Sequence, residues 1–368
     1  MPEQTVRLGR SSRGSAGAAR DMALDIVSYG RRGPSGTLRF GADQIAQIQR
    51  TVGRTPEVIV KVSGGGRDVG GVGAHLRYIG RHGKLPTETD EGLMLQGRGA
   101  AREITADWQL DLCRSQYKPK PAEGQKDPRA KLVHNIVLSM PAGTPPQKVL
   151  AAARLFAREN FALRYRYALV LHTDQPHPHV HLVVKCEHEF EPGQRLYIRK
   201  DTLRQWREQF AVLMREQGVA ANATPRQVRG QIRKPYKDAI HHRLRALRAF
   251  GQLPSSEQAK RPPPKTSTFV RAKLESVLQV LRSGWGTLDA GLKAMQGTRQ
   301  EVAADWRATA DALRRQGEGD LAAQVDRFVA RMPEVQTDAQ RMAGRWKEQA
   351  RSRAPERTIT DLQRSQVR

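Results

Sequence analysis

The chain has 368 residues, enough for two or three domains with a sizeable core. Lys and Arg number 63 against 37 acidic residues, a net charge of +26 that repels itself unless counter-charge is bound, so the composition points to a polyanion partner, nucleic acid before all others. No apolar run approaches the length of a membrane span, no hydrophobic signal region stands at the N-terminus, and two cysteines, Cys113 and Cys186, are too few for a disulfide framework, so a cytoplasmic protein is expected.

Residues 1–55 are rich in Arg, Ser and Gly and read as a flexible basic arm. Regular structure is expected to start with the β-branched strand Val58-Ile59-Val60-Lys61-Val62, ended by a glycine run at 64–66. That run lacks the lysine and hydroxyl spacing of a phosphate-binding loop and reads as a turn. The pattern next predicts a short helix stopped near Gly83. His75, Tyr78, Ile79 and His82 would share one face, and Arg77 and Arg81 another. Positive charge beside the Tyr78 phenol would favour its phenolate, although this stretch alone favours an amphipathic tyrosine with its hydroxyl at the surface.

A helix is expected over 99–116 and a Pro/Lys-rich loop over 117–129. A strand follows over 132–140, with His134, Ile136, Leu138 and Met140 on one face and Val133, Asn135, Val137 and Ser139 on the other. Thr144-Pro145-Pro146-Gln147 reads as a capping box with proline in the first turn of a helix to about residue 161.

The most informative stretch is 171–184. Four histidines and an aspartate lie between two apolar runs, 165–171 and 180–184, joined by a turn that contains two prolines. His179 and His181 alternate to one strand face, while Val180, Leu182 and Val184 point to the other. If the two strands pair, His172 meets His179 and His181 across the ladder. Three imidazoles converging with open positions describe a catalytic metal site better than a closed structural one. They accept Mn²⁺, Co²⁺, Ni²⁺ or Zn²⁺, and Mg²⁺ less readily. Asp174 is placed to orient one imidazole. His177, in the proline turn, is the least certain member of the group.

An amphipathic helix is predicted over 200–217, with Leu203, Trp206, Phe210, Leu213 and Met214 inside. Residues 224–250, including Arg226, Arg229 and Arg233, carry many cations and few acids and suit a phosphate-tracking surface. Residues 251–266 read as a Pro/Ser/Lys linker, 267–350 as a helical interaction region with no catalytic cluster, and 351–368 as a basic tail.

Three stretches resemble the conjugative DNA relaxases, or mobilisation nucleases, of the HUH endonuclease superfamily, in particular the plasmid-mobilisation and T-DNA-border group. His75-Leu76-Arg77-Tyr78-Ile79 is similar to the nucleophile motif, 134–141 to the second motif, and His172-Thr173-Asp174 through His181-Leu182-Val183-Val184 to the metal motif. The tyrosine precedes the histidines, as in relaxases; rolling-circle replication initiators and related transposases usually have the reverse order. The likeness covers about residues 56–235, within an expected nickase domain of 56–250. Members often carry asparagine where this chain has Lys185.

The resemblance implies an α+β fold, a central antiparallel sheet flanked by helices, here followed by an all-α C-terminal region. It implies nicking of one DNA strand at a transfer origin by Tyr78, with a 5′-phosphotyrosine intermediate. His172, His179 and His181 would hold a divalent ion, Mn²⁺, Mg²⁺ or another, and Asp174 would fix a tautomer. Arg77, Arg81, Ser139, Arg226, Arg229 and Arg233 would contact DNA. Implied partners are single-stranded origin DNA, relaxosome accessory proteins and a secretion-system coupling protein, in a bacterial cytoplasm from which the protein could travel with the strand. Tyr197 and Tyr236 are the rival nucleophiles; Tyr165 and Tyr167 should pack in the core. Two readings from other classes stay open: a metal-dependent hydrolase that needs no tyrosine, and a basic DNA-binding protein with a structural metal.

Overall fold

The computed structural model describes residues 31–32, 38–113, 129–191, 193–231, 255–258, 260, 268–283 and 290–353. They fall into two compact units, Gly41–Thr224 and a second made of Met1–Phe40 with Pro225–Arg368. The described chain begins with β1 (Arg31–Arg32) and β2 (Leu38–Arg39), an antiparallel pair of the second unit.

The first unit contains α1 (Ala42–Val52), β3 (Ile59–Gly64), α2 (Val69–Ile79), β4 (Thr87–Thr89), β5 (Met94–Leu95) and α3 (Ala100–Asp107). It continues with β6 (Val133–Ser139), α4 (Pro146–Phe161), β7 (Tyr167–His172), β8 (His179–Lys185) and α5 (Lys200–Glu216). Six strands form one sheet in the order β3-β6-β8-β7-β4-β5, and every pairing is antiparallel. The α+β class and the central antiparallel sheet flanked by helices therefore stand as expected.

The strand period of two divides the sheet into two apolar faces. On one, Val60, Ile136, Leu138, Leu169, Val180 and Leu182 pack against Phe156 and Phe161 of α4 and Trp206 and Phe210 of α5. The two helices present these residues at three- and four-residue spacing. On the other, Val133, Ala168, Val170 and Val183 pack beneath Val72, Leu76 and Ile79 of α2 and Ile104 and Trp108. Each large side chain buried this way contributes about 1.5–3 kcal/mol. Interior strands covered on both faces read as continuous apolar runs, which is why β6, β7 and β8 were legible. The short pair β4 and β5 was not anticipated.

Several expected boundaries move. Residues 42–52 are not part of a flexible arm: α1 buries Ile48 and Thr51. Its C-terminal half joins a polar network around the fully buried Asn222. Gln47 donates to Asn222 Oδ1 at 2.8 Å, Asn222 Nδ2 donates to Thr224 Oγ1 at 2.7 Å, and Thr224 Oγ1 donates to Glu57 at 2.8 Å. The backbone of Asn222 also pairs with Pro56 and Val58, fixing the approach to β3. The helix expected to reach Gly83 ends at Ile79, and the one expected over 99–116 ends at Asp107, followed by a single 3₁₀ turn, Leu110–Leu112. Thr144 does not cap α4; its hydroxyl donates back to Pro141 O at 2.9 Å, Pro145 is the N-cap, and Pro146 opens the helix. The glycine run is not the turn expected: Gly64 ends β3, and the chain then passes close to β6, where a Cβ on Gly65 would lie 2.2 Å from Val133 O.

In the second unit, α6 (Ser255–Gln258), α7 (Thr268–Ser283), α8 (Ala290–Arg315), α9 (Gly319–Ala330) and α10 (Asp338–Arg353) bear out the helical C-terminal region. The Trp306 ring packs on Phe328 at 5.2 Å, and its Nε1 donates to Val228 O at 2.8 Å. That bond accounts for residues 225–231, which the sequence placed with the nickase domain, belonging to the helical unit. No helix among the described residues is long and apolar enough to cross a membrane.

Replacing Asn222 by Ala leaves several buried donors and acceptors without their common partner, so the stability of the chain should fall by about 1–3 kcal/mol. Urea unfolding of the variant against the native chain measures this directly.

Candidate metal centre and nucleophile

Strands β7 and β8 pair in the register His172↔His179, Val170↔His181, and β6 continues it as Ser139↔His179 and Val137↔His181. Because directly paired residues point to the same face, the three histidines share the face that α2 covers. Their rings meet with centroids 5.1 Å (His172–His179), 4.5 Å (His172–His181) and 5.1 Å (His179–His181) apart. One ring nitrogen from each lies within 4.8 Å of the others, and among the described residues no further group of this kind occurs. His177 stays exposed in the turn and outside the cluster.

Hydrogen bonds decide which nitrogens are free. His172 Nε2 lies 2.6 Å from Ile79 O and His179 Nδ1 lies 3.0 Å from His177 O. A carbonyl only accepts, so each of these nitrogens carries the proton, and the lone pairs sit on His172 Nδ1 and His179 Nε2. His181 Nδ1 is buried with no partner among the described residues. Burial, reinforced by the neighbouring imidazoles and Arg81, holds the His181 pKa down to about 3. Burial first, with Arg81 and His179 adding to it, also lowers that of His172. Two imidazoles oriented by backbone carbonyls beside a third with an orphaned buried nitrogen make a donor set that fits a divalent ion.

The end of α2 supplies the rest of the site. Gly80 caps the helix, and Arg81, His82 and Gly83 then take positive φ values of 50°, 57° and 87°. Two consecutive non-glycine residues in the left-handed region cost free energy that the surroundings must offset. Here the turn is pinned by the bonds Gly83 N to Gly80 O and Gly97 N to Gly83 O, each 3.0 Å. Only glycine fits at 83, since a Cβ would meet Gly97 at 2.2 Å. The turn swings Arg81 away from the helical face shared with Arg77 and toward the histidines. Its Nη2 is 3.3 Å from His172 Nδ1, it pairs with Asp174, and its guanidinium lies 5.4 Å from the centroid of the Tyr78 ring. Tyr78 itself is 60% exposed on the last turn of α2.

This arrangement corrects the expected part of Asp174. The carbonyls of Ile79 and His177, not the carboxylate, fix the imidazole tautomers; Asp174 Oδ1 stays 3.9 Å from His172 Nδ1. Desolvation opposes its ionisation, but the bond from Arg81 wins and holds its carboxyl below the ordinary value. Ser139 is buried beside His179, and its hydroxyl donates to Pro178 O at 3.2 Å, holding the proline turn rather than facing outward. Arg77 is exposed on α2. Arg226 is exposed and Arg229 half-buried, both in the helical unit, while Arg233 lies outside the described residues. His134 reaches Leu196 O at 3.1 Å from the opposite sheet face. Sequence reasoning missed the carbonyl partners, which leave no mark in a sequence, and the nearness of His75, whose ring is 6.4 Å from that of His181. Its spacing of three residues from Tyr78 was the available signal.

The tyrosines separate clearly. Tyr165 and Tyr167 are buried in the core on the far face. Tyr197 is 72% exposed, but Leu196 beside it is bonded to Cys186 O. Cys186 lies five residues beyond His181, roughly 16 Å along the strand. Tyr29, Tyr117 and Tyr236 lie outside the described residues.

Residues 78–219 match the family model "Relaxase: MobA/VirD2-like, nuclease domain". Over that segment the chain is similar to a MobA/VirD2-like relaxase nuclease domain. The relaxase match opens at Tyr78 and closes just after α5. Relatives include the T-DNA border endonuclease VirD2 of Rhizobium radiobacter, 27% identical over 214 residues, 52% of this chain and 47% of the relative. VirD2 of Agrobacterium fabrum is 27% identical over 202 residues, 51% of this chain and 44% of its own. VirD2 of Rhizobium rhizogenes is 26% identical over 202 residues, 51% and 45% respectively. The chain thus spans about half the length of the curated relatives it matches. A solved chain from work on vancomycin resistance transfer in Staphylococcus aureus aligns at 12% identity over 46% of this chain and 98% of its own, with a TM-score of 0.28.

The depressed histidines make the metal-free fold acid-sensitive. His75, His134, His172 and His181 all sit below the ordinary histidine value through burial. The unfolded chain, with histidines near 6.5, then binds more protons than the folded one. Stability should be fully present above about pH 6.5 and decline as pH falls toward the lowered values, reaching about 3 for His181. Melting temperatures of chelator-treated protein between pH 8 and pH 4, taken as roughly the window set by those values, check the sign.

Proposed function

We propose that the chain nicks one strand of DNA at a transfer origin or border by transesterification onto Tyr78. The observation that carries this reading is the link Tyr78–Arg81–His172: the exposed phenol lies one guanidinium away from a cluster of three imidazoles. The relaxase domain match and relatives that are endonucleases by name support the reaction class.

A divalent ion held by His172, His179 and His181 would polarise a non-bridging oxygen of the scissile phosphate and stabilise the charge that develops there. The Tyr78 oxygen attacks phosphorus as the bond to the 3′ oxygen breaks. The 3′ end leaves as a hydroxyl, taking up a proton equivalent to the one the phenol gives up. The 5′ phosphate remains on the protein as a phosphotyrosine, and this ester keeps enough energy for rejoining without ATP. Ile79 O and His177 O keep the imidazole lone pairs available throughout. Arg77 and Arg81 sit at the end of α2 to meet phosphate oxygens. The basic residues that begin with Arg226 and Arg229 would add sequence-independent affinity for the DNA backbone. A domain order of nickase, linker and helical interaction region fits this use, with relaxosome or secretion-system proteins as partners for the helices.

Tyr78→Phe keeps the ring and should bind labelled single-stranded origin DNA normally, yet form no protein-linked fragment on a denaturing gel. Tyr197→Phe should retain adduct formation. His179→Ala and His181→Ala should lose at least about 100-fold in nicking rate, the scale of one transition-state charge stabiliser. An adduct that maps by peptide analysis to another tyrosine, or nicking without any adduct, would replace this mechanism with that of a metal-dependent hydrolase.

A further inference from the structure

The hydrogen bonds around His172 contain a conflict. Ile79 O takes the proton of Nε2, which leaves Nδ1 as the sole lone pair of this imidazole. Arg81 Nη2 points at that lone pair from 3.3 Å. A guanidinium has donors only and does not give up its proton, so it and a metal ion compete for the same electrons and repel each other. We infer that Arg81 is a built-in stand-in for the divalent ion, filling the His172 lone pair when the site is empty and being displaced beside Tyr78 when an ion binds. The inference rests on the reading of the three histidines as a metal site.

The surroundings allow such an exchange. Arg81 has a second anchor in Asp174 and a third in the face of the Tyr78 ring, so release from His172 does not leave it alone. Its side chain is 30% exposed, which gives it room to swing. The backbone beneath it is held by Gly83 and Gly97, so the movement is confined to the side chain. Before the ion arrives, the guanidinium caps a buried imidazole that would otherwise have an unsatisfied acceptor, keeping the three rings in place. Afterwards the same group is a donor fork beside the phenol, where an incoming phosphate oxygen needs one. Metal loading would thereby arm the nucleophile's neighbourhood as well as the histidines. Asp174 gains a part it lacks as an orienting residue: it draws the guanidinium off His172.

Mn²⁺ titration of the full chain by calorimetry tests this without reference to turnover. Arg81→Met keeps the stem over Tyr78 and removes both charge and donors. It should bind Mn²⁺ roughly three- to ten-fold more tightly than the native chain, since the competing hydrogen bond is gone. Asp174→Asn should bind it more weakly, and this loss should shrink when Arg81 is also Met. Unchanged or weaker Mn²⁺ binding by a folded Arg81→Met chain overturns the inference while leaving the metal site intact, provided His179→Ala still abolishes binding. If the native chain and His179→Ala bind Mn²⁺ equally, the metal reading itself fails and the inference goes with it.

Discussion

The site depends on one pairing, that of β7 with β8 in the register His172↔His179. A slip of one residue would send His179 and His181 to the opposite face, among Phe156, Trp206 and the rest of that core. The apolar alternation Val180, Leu182, Val184 prevents it, since these residues are fully buried against the α4 and α5 side and would have to give up that packing. The core thus sets the position of the three histidines. Each residue that holds the sheet against α4 and α5 also holds the imidazoles toward α2.

The same register accounts for the turn between the strands. Ser139 lies opposite His179 and bonds Pro178 O, so the proline turn is tied to β6 as well as to its own strands. Met140 N also donates to Pro178 O, at 3.2 Å. On the other side, Ile79 O joins the end of α2 to His172. Helix α2 and the histidine strands are therefore one hydrogen-bonded assembly, and Tyr78 is positioned by the residue that follows it.

Much of this was legible in the chain itself. The histidine strands showed because interior strands read as apolar runs, and a pair of histidines two apart interrupts such a run conspicuously. Trp206, Phe210 and Met214 marked α5 by their spacing. The turn at Arg81 and His82 was hidden, because left-handed backbone at non-glycine residues is imposed by tertiary contacts, here with Gly97, and has no local signature. Extending α2 to Gly83 put Arg81 on the face of Arg77, and the nearness of Asp174 to the histidines in sequence suggested a role that two backbone carbonyls perform. Helix α1 was hidden for a related reason: its composition is polar, and its burial of Ile48 and Thr51 depends on Asn222, far along the chain.

The metal reading proposes that the sheet presents three imidazoles to one divalent ion. Anomalous diffraction from crystals of the full chain soaked in Mn²⁺ tests it most directly. The account predicts a single strong peak bonded to nitrogens of His172, His179 and His181, at about the 2.0–2.2 Å typical of such ligands. A peak bound elsewhere, or no peak near these rings at saturating Mn²⁺, would contradict it.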